Sequence, residues 1–199
     1  MEIRFKDIIL REYRESDIED EIRWNTIETE WALWDAPWEM EEELSRFDPD
    51  KFRQRELESL KKPAEGFRWG MEVDTAHRIH IGSVNTYLTD EDYQWIKQKD
   101  VKEGQKVFYT VGIEINNPAY WGKGLGTQAL AAYIGYHLDN DHCDICLQTW
   151  SGNVRMIKSA EKLGFVECKR EIGIRRVRGG IYDGLTFCLD TGVFLKRWK

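Results

Sequence analysis

No stretch of the 199-residue chain approaches the ~20 consecutive apolar residues that a helix needs to cross a bilayer. The amino terminus, MEIRFKDIILREYRESD, also lacks the long apolar segment and the small-residue cleavage site of an export signal. A soluble, cytoplasmic protein with no membrane partner is expected. Positive charge is in deficit: 29 Lys and Arg face 36 Asp and Glu, for a net charge of -7. A general nucleic-acid binder would need the opposite balance, because its affinity rests on basic side chains that neutralise phosphates. Cationic partners fit better. Cysteine is scarce, with four residues, Cys143, Cys146, Cys168 and Cys188. Cys143 and Cys146 form a single C-x-x-C with no second pair at zinc-site spacing. The surrounding DICLQTW reads as a strand, whereas a redox pair sits at a helix start. Reduced thiols follow. His77, His80, His137 and His142 are scattered, and His142 beside Cys143 has no partner set, so no metal is expected. Internal repeats and low-complexity linkers are missing as well.

What the chain does hold is enough core for one domain, with 41% hydrophobic and 33% charged residues. Ile3 to Leu10 read as a first strand. Ser16 and Asp17 then offer N-cap chemistry to an acidic helical region through Trp24 and Thr29. Next comes TEWALWDAPWEMEEELSRFDPDKFRQRELESLKK, in which Trp31, Trp34 and Trp38 alternate with carboxylates around a turn at Asp35-Ala36-Pro37. A helical pattern from Met40 to Lys62 is interrupted at Asp48-Pro49. From Phe67 onward strands dominate. FRWGMEV and RIHIGSVNTYL form a hairpin about Asp74 to His77, DEDYQWIKQKDVKEGQK is a charged insertion or helix, and VFYTVGIEI alternates as a central strand. After a helix ending near Leu138 come a strand from Ile145 to Trp150 and a helix from about Val154 to Leu163. The arms Phe165 to Val177 and Ile181 to Leu189 close the chain about Gly179-Gly180.

The stretch with the clearest chemistry is VGIEINNPAYWGKGLGTQALAAYIGYHL, Val111 to Leu138. A strand ends in a loop with alternate glycines and passes at once into a helix. That arrangement exposes successive backbone N–H groups at the positive end of the helix dipole, which suits phosphate. Gly122, Gly124 and Gly126 let a ligand approach the backbone without a Cβ in the way, and Lys123 adds charge nearby. No lysine–hydroxyl pair follows the last glycine, so a Walker-type nucleotide site is not indicated, and the spacing is not that of a dinucleotide fingerprint. A plain tight strand-to-helix turn accounts for the same residues. The helix itself is apolar over much of its circumference, which predicts deep packing against a sheet.

The following SGNVRMIKSAEKLGFVE has Ser151 or Asn153 as N-cap, an inward stripe of Met156, Ile157, Ala160 and Leu163, and Gly164 as its stop. YWGKGLGTQAL followed by N-x-x-x-I-x-x-x-EKLGF resembles the acyl-CoA-binding core of the GNAT N-acyltransferase superfamily. The final GIRRVRGGIYDGLTFCL is similar to the closing hairpin of its ribosomal-protein N-terminal acetyltransferase-like branch, with Asp183 matching that branch's aspartate. The resemblance covers roughly residues 67 to 190. It implies a single α+β domain over 1–199, with a mixed, mostly antiparallel sheet splayed at the acyl-CoA site and flanked by helices. Residues 1–66 would form an α-rich acceptor side, and 67–199 the acyl-CoA core and closing hairpin.

The resemblance also implies acetyl-CoA as co-substrate and a family habit of homodimers. The pyrophosphate loop falls on Trp121, Gly122, Lys123, Gly124, Leu125 and Gly126, with Thr127 following and Trp121 replacing the family's usual first residue. The pantetheine arm would pair with Ile113, Glu114 and Ile115 and pass near Asn153. Ala160 stands where many members have a tyrosine that protonates the departing thiolate, and Ser159 would point about 100° away on an ideal helix. Acyl transfer to an amine requires a base, and Glu114 is the candidate, unless its side chain faces a neighbouring strand or solvent as an ion-pair partner. Trp31, Trp34, Asp35, Trp38 and Glu39 are expected to line the site of a cationic amine, a small molecule or a peptide N-terminus, by charge and cation–π attraction. Core packing explains the same tryptophans. The function implied is an acetyl-CoA-dependent N-acetyltransferase; the alternative is a non-catalytic acyl-CoA-binding or sensing module.

Overall fold

The computed structural model describes residues 1–62, 68–141 and 143–199. Strand β1, Glu2–Phe5, pairs antiparallel with β2, Ile8–Arg11, about a turn at Lys6 and Asp7. The expected single strand from Ile3 to Leu10 is therefore a hairpin. Lys6 takes a positive φ of 50°, and the two short arms pair Phe5 with Ile8. Helix α1, Asp17–Thr26, a 3-10 turn at Thr29–Leu33, α2, Pro37–Ser45, and α3, Pro49–Ser59, complete the acidic first part. Proline stands at the first position of both α2 and α3, where its missing N–H costs nothing. The Asp48 carboxylate caps α3 by accepting from the N–H of Asp50 and Lys51 at 3.2 and 3.1 Å. The break foreseen at Asp48-Pro49 is thus real, and α2 begins earlier than the Met40 expected.

The main sheet continues with β3, Gly70–Thr75, β4, His80–Thr89, and β6, Phe108–Ile115, all antiparallel. Between β4 and β6 the charged insertion forms no α-helix. Its ordered parts are β5, Trp95–Ile96, which pairs with β4, and a 3-10 turn at Gln98–Asp100. Helix α4, Leu125–Asn140, leads to β7, Ile145–Trp150, and α5, Val154–Leu163, leads to the long hairpin of β8, Phe165–Val177, and β9, Gly180–Leu189. The hairpin turn sits one residue earlier than expected, on Arg178 and Gly179, whose φ values of 47° and 80° are those of a two-residue turn with both central residues left-handed. A last helix, α6, Thr191–Trp198, was not foreseen. Its buried Phe194 joins the main core, and its N-terminus is capped by Asp190. The strand start at Phe67, the 66/67 division and His142 lie outside the described residues.

Among the described residues the sheet order is β1-β2-β3-β4-β6-β7-β9-β8, with β5 beside β4. Only β6 and β7 run parallel, and their register extends over just two pairs, Tyr109–Ile145 and Thr110–Cys146. Beyond Thr110 the two strands part. Helix α4 lies against one face of the sheet, with Ala129, Leu130, Tyr133 and Ile134 all 0% exposed, as its nearly continuous apolar circumference requires. Burial of each large aliphatic chain there stabilises the fold by about 1.5–3 kcal/mol, which fixes the direction of the helix N-terminus. Its start is set closely on β6: a Cβ added at Gly126 would lie 3.5 Å from Ile115 Cγ1 and 3.6 Å from Ile113 Cδ1. The cysteines are free, and Cys146 and Cys188 face each other across β7 and β9 with their Sγ atoms 3.4 Å apart. Among the described residues no helix is long and apolar enough to cross a membrane.

Candidate active site

The glycine loop is built for close approach. Gly122 and Gly124 have φ of +73° and +78°, left-handed values that side-chain-bearing residues rarely take. A Cβ at either would meet nothing within 4 Å, so the glycines answer the backbone's own conformation and leave the outer side of the loop open. Gly124 is the N-cap of α4 and supplies no side chain to satisfy the helix's first N–H groups. Those donors, the dipole behind them and the exposed Lys123 are chemically suited to an anion. Lys123 Nζ rests 5.2 Å from the Tyr120 ring centre. Leu125 and Thr127 are buried, and the Thr127 hydroxyl lies 3.0 Å from that of Ser159. Ser159 is thus engaged at the start of α4, and Ala160 beside it is fully buried. Trp121 donates its indole N–H to the carbonyl of Ile115 at 2.6 Å, which leaves only its backbone for an anion.

Where β6 and β7 part, β6 presents an open edge. The Tyr109 N–H donates to the Asp144 carbonyl at 3.0 Å on the β7 side. Backbone alternation along the strand then turns Val111, Ile113 and Ile115 toward the same gap. With the Ile115 carbonyl taken by Trp121, Ile113 directs both its backbone groups into the gap. Asn153 does not have that freedom. Its side-chain oxygen accepts from Met156 N–H at 3.1 Å, capping α5, and its NH2 donates to the Trp34 carbonyl at 3.0 Å.

On the other face of β6, opposite Ile113 and Ile115, stands Glu114. Asp35, from the turn between the 3-10 segment and α2, lies beside it, near enough for each carboxyl to act on the other's proton affinity, with the Asn116 side chain also close to Glu114. Burial, with the negative charge of Asp35 next, pushes the Glu114 pKa up to about 8. Asp35 is raised as well, by burial first and then by Glu39 and Glu43, against the lowering effect of Glu114. Neighbouring carboxyls that shift each other's proton affinity in this way titrate as a unit. Sequence reading assigned Glu114 to proton transfer and Asp35 to the acceptor. The structure sets the two side by side.

The remaining acceptor-side residues divide. Trp38 has the Arg175 guanidinium 4.3 Å from its ring centre and Trp150 edge-on at 6.4 Å, while its N–H donates to Glu39 at 2.8 Å. Both Trp38 and Glu39 stand at the rim. Trp34 is half-buried, and its carbonyl also accepts from Trp150 Nε1 at 2.9 Å. Trp31 is a correction: it is 8% exposed, donates its indole N–H to the Trp24 carbonyl at 2.9 Å and packs with Trp24 and Ala32 as core. Asp183 is spent on shape, accepting from Gly173 N–H at 3.0 Å and Arg170 at 2.8 Å. Sequence reading also missed Glu21 of α1, whose charge adds to that on Glu114 and whose own pKa is pushed up to about 8 by burial and by Glu72 and Glu56. Nothing in its local sequence distinguishes it from the other helical acids.

Two other polar clusters invite a chemical reading. Thr86 Oγ1, His137 Nε2 and Asp141 align like a hydrolase triad, with 2.9 and 2.8 Å between successive groups. His137 is fully buried, and that burial lowers its pKa, while Asp141 is also paired with Arg68, so the line ties β4 to α4 as a core network. Asp17, Asp20 and His80 have the spacing of a metal site, but both Asp17 oxygens are held by Arg11 at 2.6 and 2.8 Å.

A family model described as Acetyltransferase (GNAT) domain matches residues 7–166. No curated protein matches the chain. A solved ribosomal-protein-S5-alanine acetyltransferase from Vibrio fischeri is similar in structure with a TM-score of 0.66, over 100% of this chain and 99% of that one, at 17% identity. RimL, a ribosomal L7/L12 α-N-protein acetyltransferase in complex with coenzyme A, gives 0.65 over 94% and 97% at 11% identity. A spermidine N-acetyltransferase SpeG chimera from Vibrio cholerae and hSSAT gives 0.64 over 96% and 100% at 18% identity. At such identities the likeness carries the fold alone.

Proposed function

Because the chain belongs to the GNAT acetyltransferase family, we propose that it moves an acetyl group from acetyl-CoA to the primary amine of a cationic acceptor by direct attack in a ternary complex. The observation that carries this reading is the Asp35 carboxyl set against Glu114, whose strand opens on its other side into the gap beyond the glycine loop. Acetyl-CoA supplies an activated thioester. The N–H groups from Gly122 to Gly126 bind its diphosphate, and the open edge of β6 at Ile113 orients the extended arm. A backbone N–H on that edge is the donor available to the thioester carbonyl oxygen.

An amine arrives as an ammonium and has no lone pair to offer until it loses a proton. Once its own proton has been released, above about pH 8, Glu114 takes that proton, and its raised pKa makes it a stronger base than an ordinary carboxylate. Ala160 gives no acid to the leaving sulfur, so the rate rests on proximity and on the base. The carboxylates of Glu39 and Glu43 near Asp35 favour an acceptor with net positive charge, a small amine or a peptide N-terminus. A panel of such amines, followed by release of free CoA, tests the reading. Turnover with one class names it. Binding of acetyl-CoA with no turnover on any amine supports instead a sensing module, the reading that the alanine at 160 favours. Gly124→Asp is expected to weaken acetyl-CoA binding at least tenfold by calorimetry, since it sets a charged side chain on a left-handed residue in the anion cradle.

A further inference from the structure

Arg155, in the first turn of α5, has its guanidinium carbon 4.2 Å from the ring centre of Trp34 and 4.2 Å from that of Trp121. Among the described residues it forms no ion pair, although the chain carries an excess of acids. The two indoles come from opposite sides of the site. Trp34 directly precedes Asp35, while Trp121 opens the glycine loop and is bonded to the carbonyl of Ile115, the neighbour of Glu114. A planar guanidinium can offer a face to each ring, an arrangement that an ammonium cannot reproduce. Cation–π contacts of this kind contribute when partly desolvated.

The segment that carries Asp35 has little structure of its own. It follows the end of a single 3-10 turn and precedes Ala36, which takes a left-handed φ of 35°, uncommon for a residue with a side chain. Its local backbone bonds are two N–H groups, those of Trp34 and Asp35, donating to the Trp31 carbonyl at 3.0 and 3.3 Å. The rest of its support comes from the cofactor side: Trp150 and Asn153 on the Trp34 carbonyl, and Arg155 on its ring.

We propose that Arg155 is a positioning residue that clamps Trp34 to Trp121 and so holds Asp35 against Glu114. The role rests on the acetyltransferase reading only in its consequence for turnover; the clamp and the carboxyl pair exist without it. The groups facing the pair are Glu21 of α1, Glu39 and Glu43 of α2, Tyr87 of β4 and Asn116. Of these, none is basic. When Asp35 moves away, Glu114 loses its nearest negative neighbour and its pKa falls.

The test compares the parent chain with Arg155→Met, which keeps the stem and loses the charge, and Arg155→Lys, which keeps the charge and loses the plane. Because Arg155 is exposed, both variants are expected to fold, and near-ultraviolet circular dichroism checks that they do. Carbon-13 carboxyl NMR should show the Glu114 titration midpoint moving to lower pH in both variants, more in Arg155→Met. The acidic limb of kcat should move the same way, with kcat down about tenfold and acetyl-CoA affinity within about threefold of the parent, as expected of a group that acts through another. An unchanged Glu114 midpoint in folded Arg155→Met overturns the proposal, whatever the activity. Failure of the parent to acetylate any amine sinks the acetyltransferase reading and leaves the carboxyl titration to judge the clamp.

Discussion

One row of side chains crosses four strands of the sheet, and its two ends behave in opposite ways. The register aligns Arg11 of β2 with Glu72 of β3, Glu72 with Ser83 of β4, and Ser83 with Glu114 of β6. At the first end Arg11 is bonded to both Asp17 oxygens and to Asp74 at 2.7 Å, and the acids raise the Arg11 pKa. At the other end Glu114 meets Asp35, and among the described residues no Lys or Arg is paired with either. Both ends gather carboxyls in a protected setting. The first is closed by a countercharge and contributes structure; the second is left short of positive charge, and its proton affinity is raised.

The largest effect should come from turning the first end into the second. Arg11→Met leaves Asp17 and Asp74 buried without their cation, and a loss of about 3–5 kcal/mol in urea unfolding is expected, as for other broken buried ion pairs. A loss under 1 kcal/mol would mean that the acids shed their charge cheaply and that the two ends differ less than their geometry suggests.

Glu114→Gln sharpens the contrast from the other side. It should lower kcat by about a hundredfold with acetyl-CoA affinity near the parent value. Its stability signature has a definite sign. The folded pKa stands at about 8, above the ordinary 4.5, so between those values the native chain holds a proton that the unfolded chain has released. That contribution to stability declines as pH rises through the window. Urea midpoints at pH 5 and pH 8 should therefore diverge more in the parent than in Glu114→Gln, and equal divergence would show that Glu114 is not the group responsible.

Asp35→Asn should act on both function and titration. The acidic limb of kcat is expected to move to lower pH, because the like charge beside Glu114 is gone, and KM for the amine should rise severalfold while KM for acetyl-CoA stays put. Glu39→Gln is the smallest case. Glu39 is exposed at the rim beside Trp38, so its effect on the amine KM should be under about twofold and should vanish as salt screens it.

Much of this molecule is written locally. The glycine loop could be read because left-handed turns at Gly122 and Gly124 and the apolar helix after them are properties of a short stretch. The same holds for the Asn153 cap, the stripe of α5 and, to within one residue, the last hairpin. The family resemblance extended that reading to the parting of β6 and β7, which periodicity alone does not encode. The insertion after β4 defeated the reading because its charged residues suit a helix as well as the strand–turn pieces they form. Helix α6 is short, and it depends on placing Phe194 in a core assembled from distant segments. Among the site residues, Trp31 and Trp34 look alike in sequence; one turns into the core and the other toward Arg155.

The sequence by itself determined the fold class, the left-handed glycine turn and the acidity of the first part, because backbone conformation, periodicity and charge are carried by residues a few positions apart. Tertiary structure alone decided which acids would have their proton affinity raised. Glu114 and Asp35 are ordinary carboxylates until the sheet buries one and the turn before α2 sets the other against it without a cation. It likewise decided that Asp17 and Asp74 would be neutralised, by bringing Arg11 to them. A carboxyl's proton affinity depends on desolvation and on the nearest charges, and both are set by residues remote in the chain and adjacent only in the folded protein.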